Sequence, residues 1–256
     1  MKKLNHWESR AYYDSAGRGS KKPHPGMELL QKLVHSGLTV VDLGCGEGTR
    51  LNLLAKGKNI RKAIGIDISK TAISRAKKKY KELKFINADL EKLPLKDGSA
   101  DLVYSAFVLE HTDNTEKVLR EAKRILKRGG NLVLIAPNYG SPNRCSPPFG
   151  GSRMRKFIKG LLNDFTPNKI RLNWMKVIPI PGKYNVDYDV TVEPYVKTLL
   201  SYLENIGLGI KYWSSCWEEE LPKAKTHQRV FRTLGEMNIF PFKYWGPHMV
   251  VHAVRI

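Results

Sequence analysis

Residues 40–48 read Val-Val-Asp-Leu-Gly-Cys-Gly-Glu-Gly, and this stretch decides the fold. Val40 and Val41 suit a buried strand, which Gly44, Gly46 and Gly48 then break at alternate positions. Glycine lacks a Cβ, so a backbone built from it turns sharply and lets a ligand come close. The next residues, TRLNLLA at 49–55, space their leucines for a helix. Strand, glycine turn and helix together aim backbone N–H groups at an anionic or polar ligand. The pattern is G-x-G-x-G with an acid, Asp42, two residues ahead of it, and not the G-x-G-x-x-G of dinucleotide enzymes.

Working outward, the first 138 residues alternate apolar strands with amphipathic helices, the pattern of a parallel α/β sheet. The periodicity predicts strands over 38–44, 63–69, 83–89, 101–107 and 131–137, and helices over 27–35, 49–55, 70–80 and 115–126. Residues 139–190 differ, opening on the turn-rich NYGSPNRCSPPFGG and carrying a short basic amphipathic helix over 153–163. A helix over 194–206 and strands over 209–217 and 249–256 follow, separated by an aromatic-rich insert at 218–248. The chain divides into an N-terminal helical or lid segment, 1–35, and one domain, 36–256, with covering inserts at 139–190 and 218–248. Trp7, Tyr12 and Tyr13, with Arg10 and Arg18, are candidates for a lid or for packing against the sheet.

Composition narrows the class. A hydrophobic share of 41% fits a folded soluble domain. Cys45, Cys145 and Cys216 are dispersed with no C-x-x-C pair, which argues against zinc, iron–sulfur clusters and a disulfide framework. No metal site is expected. No apolar run approaches the roughly 20 residues of a membrane span, and no apolar stretch follows the basic N-terminus, so the expected location is cytoplasmic. The net charge of +20 suits a polyanionic partner or a lysine-rich solvated surface; Lys77, Lys78, Lys79, Lys81 and Lys84 form one local run.

Three acids close or nearly close three of the early strands: Asp42, Asp67 and Asp89. The C-terminal strand ends of an open parallel sheet line the ligand crevice, so these carboxylates should converge. Asp67 lies nineteen residues after Gly48, about where an acid accepts hydrogen bonds from a ribose diol. Asp89 stands where it would accept an adenine amine, although a lone strand-end aspartate also serves as a turn former.

The series VVDLGCGEG, GIDIS, NADLEKLPLKDGSADLVYS, FVLEH and LREAKRILKRGGNLVLIAPN resembles the class I S-adenosylmethionine-dependent methyltransferases. It is most similar to the small-molecule group that includes ubiquinone-pathway enzymes, over about residues 36–138. The resemblance implies a Rossmann-like α/β fold. Its seven-stranded, mostly parallel sheet would carry helices on both faces and an antiparallel last strand. It implies S-adenosyl-L-methionine as cofactor: Gly44 and Gly46 at the methionine portion, Asp42 at its amino group, and Asp67 at the ribose. Asp89 and the Leu90 backbone would meet the adenine, with Ser105, Ala106 and Phe107 walling the sulfonium.

Methyl transfer from a sulfonium needs an aligned nucleophile and sometimes a base. His111 is the candidate base, with a helix cap or structural contact as the other reading. Asp187 and Asp189 are candidate substrate ligands or bases, or a solvated loop. His248 and His252 are assigned to structure, and Glu218, Glu219 and Glu220 to a solvated run. The basic stretch 153–159 is a candidate contact for an anionic membrane or phosphate groups. The leading expectation is O-methylation of a small, lipid-linked or sugar-linked acceptor, which an anionic group would suit. RNA methylation and non-catalytic cofactor binding are the alternatives.

Overall fold

A computed structural model describes residue 13 and residues 23–166, 170–180, 187–220 and 224–256. Trp7, Arg10, Tyr12 and Arg18 lie outside the described residues. Helix α1 (Pro25–Leu33) starts on His24, whose Nδ1 accepts the Gly26 amide, with Pro25 fixing the first turn. Strand β1 (Thr39–Leu43) is buried at all five positions, and the glycine turn carries it into α2 (Thr49–Ala55). Then come β2 (Lys62–Asp67), α3 (Lys70–Lys79), β3 (Lys84–Asn87) and β4 (Ala100–Ala106). Ser69 caps α3 through its hydroxyl, and Asn114 caps α4 (Thr115–Ile125). Strand β5 (Leu126–Pro137) follows at once, its register with β4 skipping from Leu126 to Asn131 across the Arg128-Gly129-Gly130 bulge.

The sheet has seven strands in the order β3-β2-β1-β4-β5-β9-β8. Strands β1 to β5 pair in parallel; β9 (His248–Arg255) lies antiparallel between β5 and β8 (Leu208–Ser214). The last strand therefore runs against all the others, as the sequence predicts. Chain order reverses at β1, between β2 and β4, which opens a crevice beyond their C-terminal ends. Both faces are covered. Val41, Leu43, Val103 and Leu134 pack with α4 and α6 (Val196–Asn205). Val40, Leu102, Val133 and Ile135 pack with α1, α2 and α3, where Leu30 is wholly buried. Alternate positions thus point to opposite faces, and both are apolar.

Three pieces cover the carboxyl edge: α5 (Arg153–Asp164), the short ribbon β6 (Met175–Lys176) with β7 (Val192–Glu193), and α7 (Thr226–Glu236). The ribbon and α7 lie in stretches without legible periodicity. Buried polar groups tie the covers down. Lys156 pairs with Glu193 at 2.5 Å, and Glu193 also accepts from the Ser146 amide and hydroxyl. Asp164 accepts from the Tyr195 hydroxyl and the Trp245 indole. Asn138 bonds Tyr244 O, Gly246 O and the Val196 amide. Glu220 corrects the expectation of a solvated acidic run: its side chain is buried and pairs with Arg144. A buried carboxylate keeps its charge most cheaply against a guanidinium.

Candidate functional site

The crevice is built on the glycine turn. Gly44, Gly46 and Gly48 all adopt left-handed backbone, with φ of 77, 51 and 75°. At Gly44 an added Cβ would strike Val108, so only glycine fits there. Tyr13 reaches over Gly46, 3.7 Å from where a Cβ would stand. The Gly44 and Cys45 amides donate to Ile66 O, and the Gly46 amide donates to Asp67 Oδ2 at 2.8 Å. Asp67 Oδ1 accepts the Ser69 amide, so this carboxylate clamps the turn to the end of β2.

Asp42 is buried beneath the turn. Burial pushes its carboxyl up to about 7; the Tyr104 hydroxyl and Arg50 oppose the rise, and Asp67 adds to it. Arg50 donates to Ala106 O at 3.3 Å and lies 5.2 Å from the centre of the Phe107 ring. Ser105 is wholly buried, with a hydroxyl that has no hydrogen-bond partner among the described residues. Asp89 stands exposed two residues beyond β3, its Oδ1 accepting the Glu91 amide in an Asx turn, and Leu90 is buried beside it.

A second group lies beyond β4. Phe107 holds φ of 60°, a conformation that costs a side-chain-bearing residue roughly 1–3 kcal/mol and gathers at functional sites. Its ring meets His24 at 5.3 Å and His248 at 5.6 Å, and the two imidazoles meet at 5.3 Å. Burial lowers both histidines to about 4, so both are neutral near pH 7. Because His24 Nδ1 accepts the Gly26 amide, its proton sits on Nε2, a buried donor without a partner among the described residues. His248 faces Phe107, whereas His252, four residues on along the strand, bonds Asn131 within the sheet.

His111 and the 187–191 segment meet beside them. The Thr191 amide donates to Glu110 O, which folds Asp189 onto His111. His111 Nδ1 lies 3.3 Å from Asp189 O and 3.6 Å from Asp189 Oδ2, and its Nε2 lies 3.8 Å from Glu110 Oε1. A carbonyl only accepts, so Nδ1 carries a proton and the neutral ring holds its lone pair on Nε2. Burial opposes charge on His111, but Glu110, Asp189 and Asp187 outweigh it and hold the ring above its ordinary 6.5. Burial lifts Glu110 to about 7, with His111 opposing and Asp187 and Asp189 adding. Glu110 Oε2 and Asp189 Oδ2 lack hydrogen-bond partners among the described residues. Tyr139 donates its hydroxyl to Asp187. Among the described residues, no group of three or more His, Cys, Asp or Glu is arranged to hold a metal ion.

Known proteins place this geometry. Residues 41–134 match the family described as Methyltransferase domain. Residues 41–134 thus form a methyltransferase domain, similar to those of S-adenosylmethionine-dependent relatives. Relatives include a probable S-adenosylmethionine-dependent methyltransferase of Mycobacterium tuberculosis, 34% identical over 110 residues, 42% of this chain and 39% of that protein. A demethylmenaquinone methyltransferase of Lactococcus lactis is 26% identical over 223 residues, 85% of this chain and 73% of that protein. The fold is that of an S-adenosylmethionine-dependent methyltransferase from Mesorhizobium loti, with a TM-score of 0.55 and 20% identity over 89% of this chain and 96% of that one. The chain spans between 32% and 47% of the length of four curated relatives, the mycobacterial protein among them.

The methyltransferase family and fold imply S-adenosylmethionine as cosubstrate, and the crevice fits it. Asp42, a buried carboxyl that ionises near pH 7, would in its ionised form pair with an ammonium, and Asp67 stands at the end of β2 as an acceptor for hydroxyls. Arg50, His24, Glu110 and Tyr139 lie in or around the crevice without having been singled out in the sequence. Arg50, Glu110 and Tyr139 had a signal, lying within or beside the motifs, whereas His24 comes from a distant segment.

Proposed function

We propose that the protein transfers a methyl group to an oxygen of a small acceptor, bound between Phe107, His111 and the 187–191 segment. The observation that carries this reading is the His111 site. It is a buried imidazole with a proton on Nδ1, backed by Asp189 and adjoining carboxylate oxygens without hydrogen-bond partners among the described residues. S-adenosylmethionine supplies, when bound, an electrophilic methyl group on a good leaving group. Asp42 would hold its amino group, Asp67 its ribose hydroxyls, and Asp89 with Leu90 its adenine. Ser105, Ala106 and Phe107 would wall the sulfonium.

The chain's own residues would do the rest. His111 Nε2 takes the proton from the acceptor hydroxyl, and Asp189 stabilises the imidazolium that results. Glu110 Oε2 and Asp189 Oδ2 accept hydrogen bonds from further acceptor hydroxyls, while the His24 Nε2–H donates to an acceptor oxygen. The covers tied by Lys156, Asp164 and Asn138 keep water from the reacting oxygen. The malonyl-[acyl-carrier protein] O-methyltransferase and the demethylmenaquinone methyltransferase among the relatives are consistent with a small or carrier-linked acceptor.

The test is a labelling experiment. The full chain with methyl-labelled S-adenosylmethionine and a cell extract should put label into the small organic fraction in a base-stable form. Label confined to RNA contradicts the proposal, and so does an extract that yields no labelled product.

A further inference from the structure

Helix α5 is apolar on two sides, with Phe157 and Leu161 packed inward against the core and a second apolar stripe facing out. A helix on a globular surface turns its apolar stripe to the core and its charges to water. Here Lys156 and Asp164 face inward and are buried, bonded to Glu193, Tyr139 O, Tyr195 and Trp245. Met154, Ile158, Leu162 and Phe165 recur at intervals of four, four and three residues, so they share one stripe. That stripe faces out: the four side chains are 67, 51, 64 and 66% exposed.

The apolar surface extends past the helix. The Phe165 ring packs edge-on against Phe240 at 5.1 Å, and Met237 and Ile239 are exposed beside Phe240 in the chain. A contiguous apolar surface of this kind marks a place where something docks.

Charge says what docks. Arg155 and Lys159 each follow a stripe residue and border the stripe from one side, both exposed. The acidic residue of α5, Asp164, is turned inward, so the outer surface of the helix carries positive charge alone. An apolar stripe flanked by arginine and lysine is the pattern of a helix lying in the plane of an anionic bilayer. The net charge of +20 adds long-range attraction to the same surface.

We propose that α5 and residues 237–240 form a docking surface for an anionic lipid bilayer. The Met154–Ile158–Leu162–Phe165 stripe enters the boundary between headgroups and acyl chains, and Arg155 and Lys159 meet lipid phosphates. The proposal goes beyond the acceptor reading and does not depend on it. It has a consequence for that reading, because Lys156 on α5 bonds Tyr139, whose hydroxyl meets Asp187. Docking would therefore bring the acceptor side of the crevice close to the lipid surface.

Cosedimentation of the full chain with vesicles tests this at low and raised salt. The protein should pellet with phosphatidylcholine vesicles containing phosphatidylglycerol and stay in solution with phosphatidylcholine alone. Ile158→Glu with Leu162→Glu should lower partitioning at least about ten-fold, the scale of losing two buried apolar side chains. Arg155→Glu with Lys159→Glu should abolish the preference for phosphatidylglycerol. Both side-chain pairs are exposed, so thermal melting should match the unaltered chain. Three results would overturn the proposal: no pelleting with phosphatidylglycerol vesicles at low salt; wild-type partitioning by the Ile158→Glu/Leu162→Glu variant; or a dimer in sedimentation velocity that this variant splits, which assigns the surface to a second copy.

Discussion

Asp42 carries a carboxyl at about 7 because it is buried beneath the glycine turn, with Tyr104 and Arg50 offsetting only part of that cost. If it holds the amino group of S-adenosylmethionine, the ionised form is the one that binds. Affinity should then rise as pH is raised from 6 to 8, with a proton released on binding. Asp42→Asn should flatten that dependence, which calorimetry in two buffers of different ionisation enthalpy would show. The same shift has a sign for stability. Asp42 and Glu110 have folded values raised above their ordinary 3.8 and 4.5, so the folded chain binds more protons through that interval. Their contribution is present below about pH 4 and is lost as pH rises through 7. Asp42→Asn and Glu110→Gln should each make the unfolding midpoint less sensitive to pH over that range. His111 works the other way for catalysis: its raised value keeps it protonated to higher pH, and only the neutral ring accepts a proton. Turnover should therefore climb with pH through a midpoint above 6.5, and His111→Ala should remove that limb while leaving cofactor affinity nearly unchanged. At this scale the motif residues were legible, because Gly44, Asp42 and Asp67 sit within a run of nearby chain. His24 and His248 were not, because nothing local in a sequence says that two distant imidazoles will meet on Phe107.

Elements followed their local signals where periodicity was clean. Helix α2 spans Thr49–Ala55, as its leucine spacing predicts, and Ser69, Asn114 and Ser152 each cap the helix that follows. The covers were harder to read because polar links hold them. Strands β6 and β7 are two residues each and have no period to show. In α7, the residues THQRVFRTLGE lie in the aromatic-rich insert, and Phe231 stacks between Phe157 and Phe242 and anchors the helix. The Lys156–Glu193 pair joins α5 to the ribbon with Glu193 fully buried. Lys156→Ala would strand that carboxylate and should cost roughly 3–5 kcal/mol, measurable by urea unfolding. A loss near zero would mean that the covers are held by their aromatic contacts instead.

At the scale of the whole molecule, the seven-stranded sheet follows from alternating strands and helices, and its reversal at β1 sets where the ligand crevice must open. The excess of positive charge was legible as a number, but its use was not, because partner choice depends on which side chains are exposed together. No described helix is long and apolar enough to cross a membrane. The Lys77, Lys78 and Lys79 run ends α3 as an exposed turn, whereas the basic residues of α5 border an apolar stripe. The sheet edge, the glycine turn and the two aspartates meet in a single claim, that this crevice holds S-adenosylmethionine through Asp67. Calorimetric titration of the full chain with S-adenosylmethionine, beside Asp67→Ala and His111→Ala, tests it most directly. The prediction is saturable binding by the unaltered chain, nearly equal binding by His111→Ala, and a loss of roughly 10- to 150-fold for Asp67→Ala, the range for hydrogen bonds to a charged group. An unaltered chain that fails to bind, or an Asp67→Ala variant that binds as tightly, would contradict it.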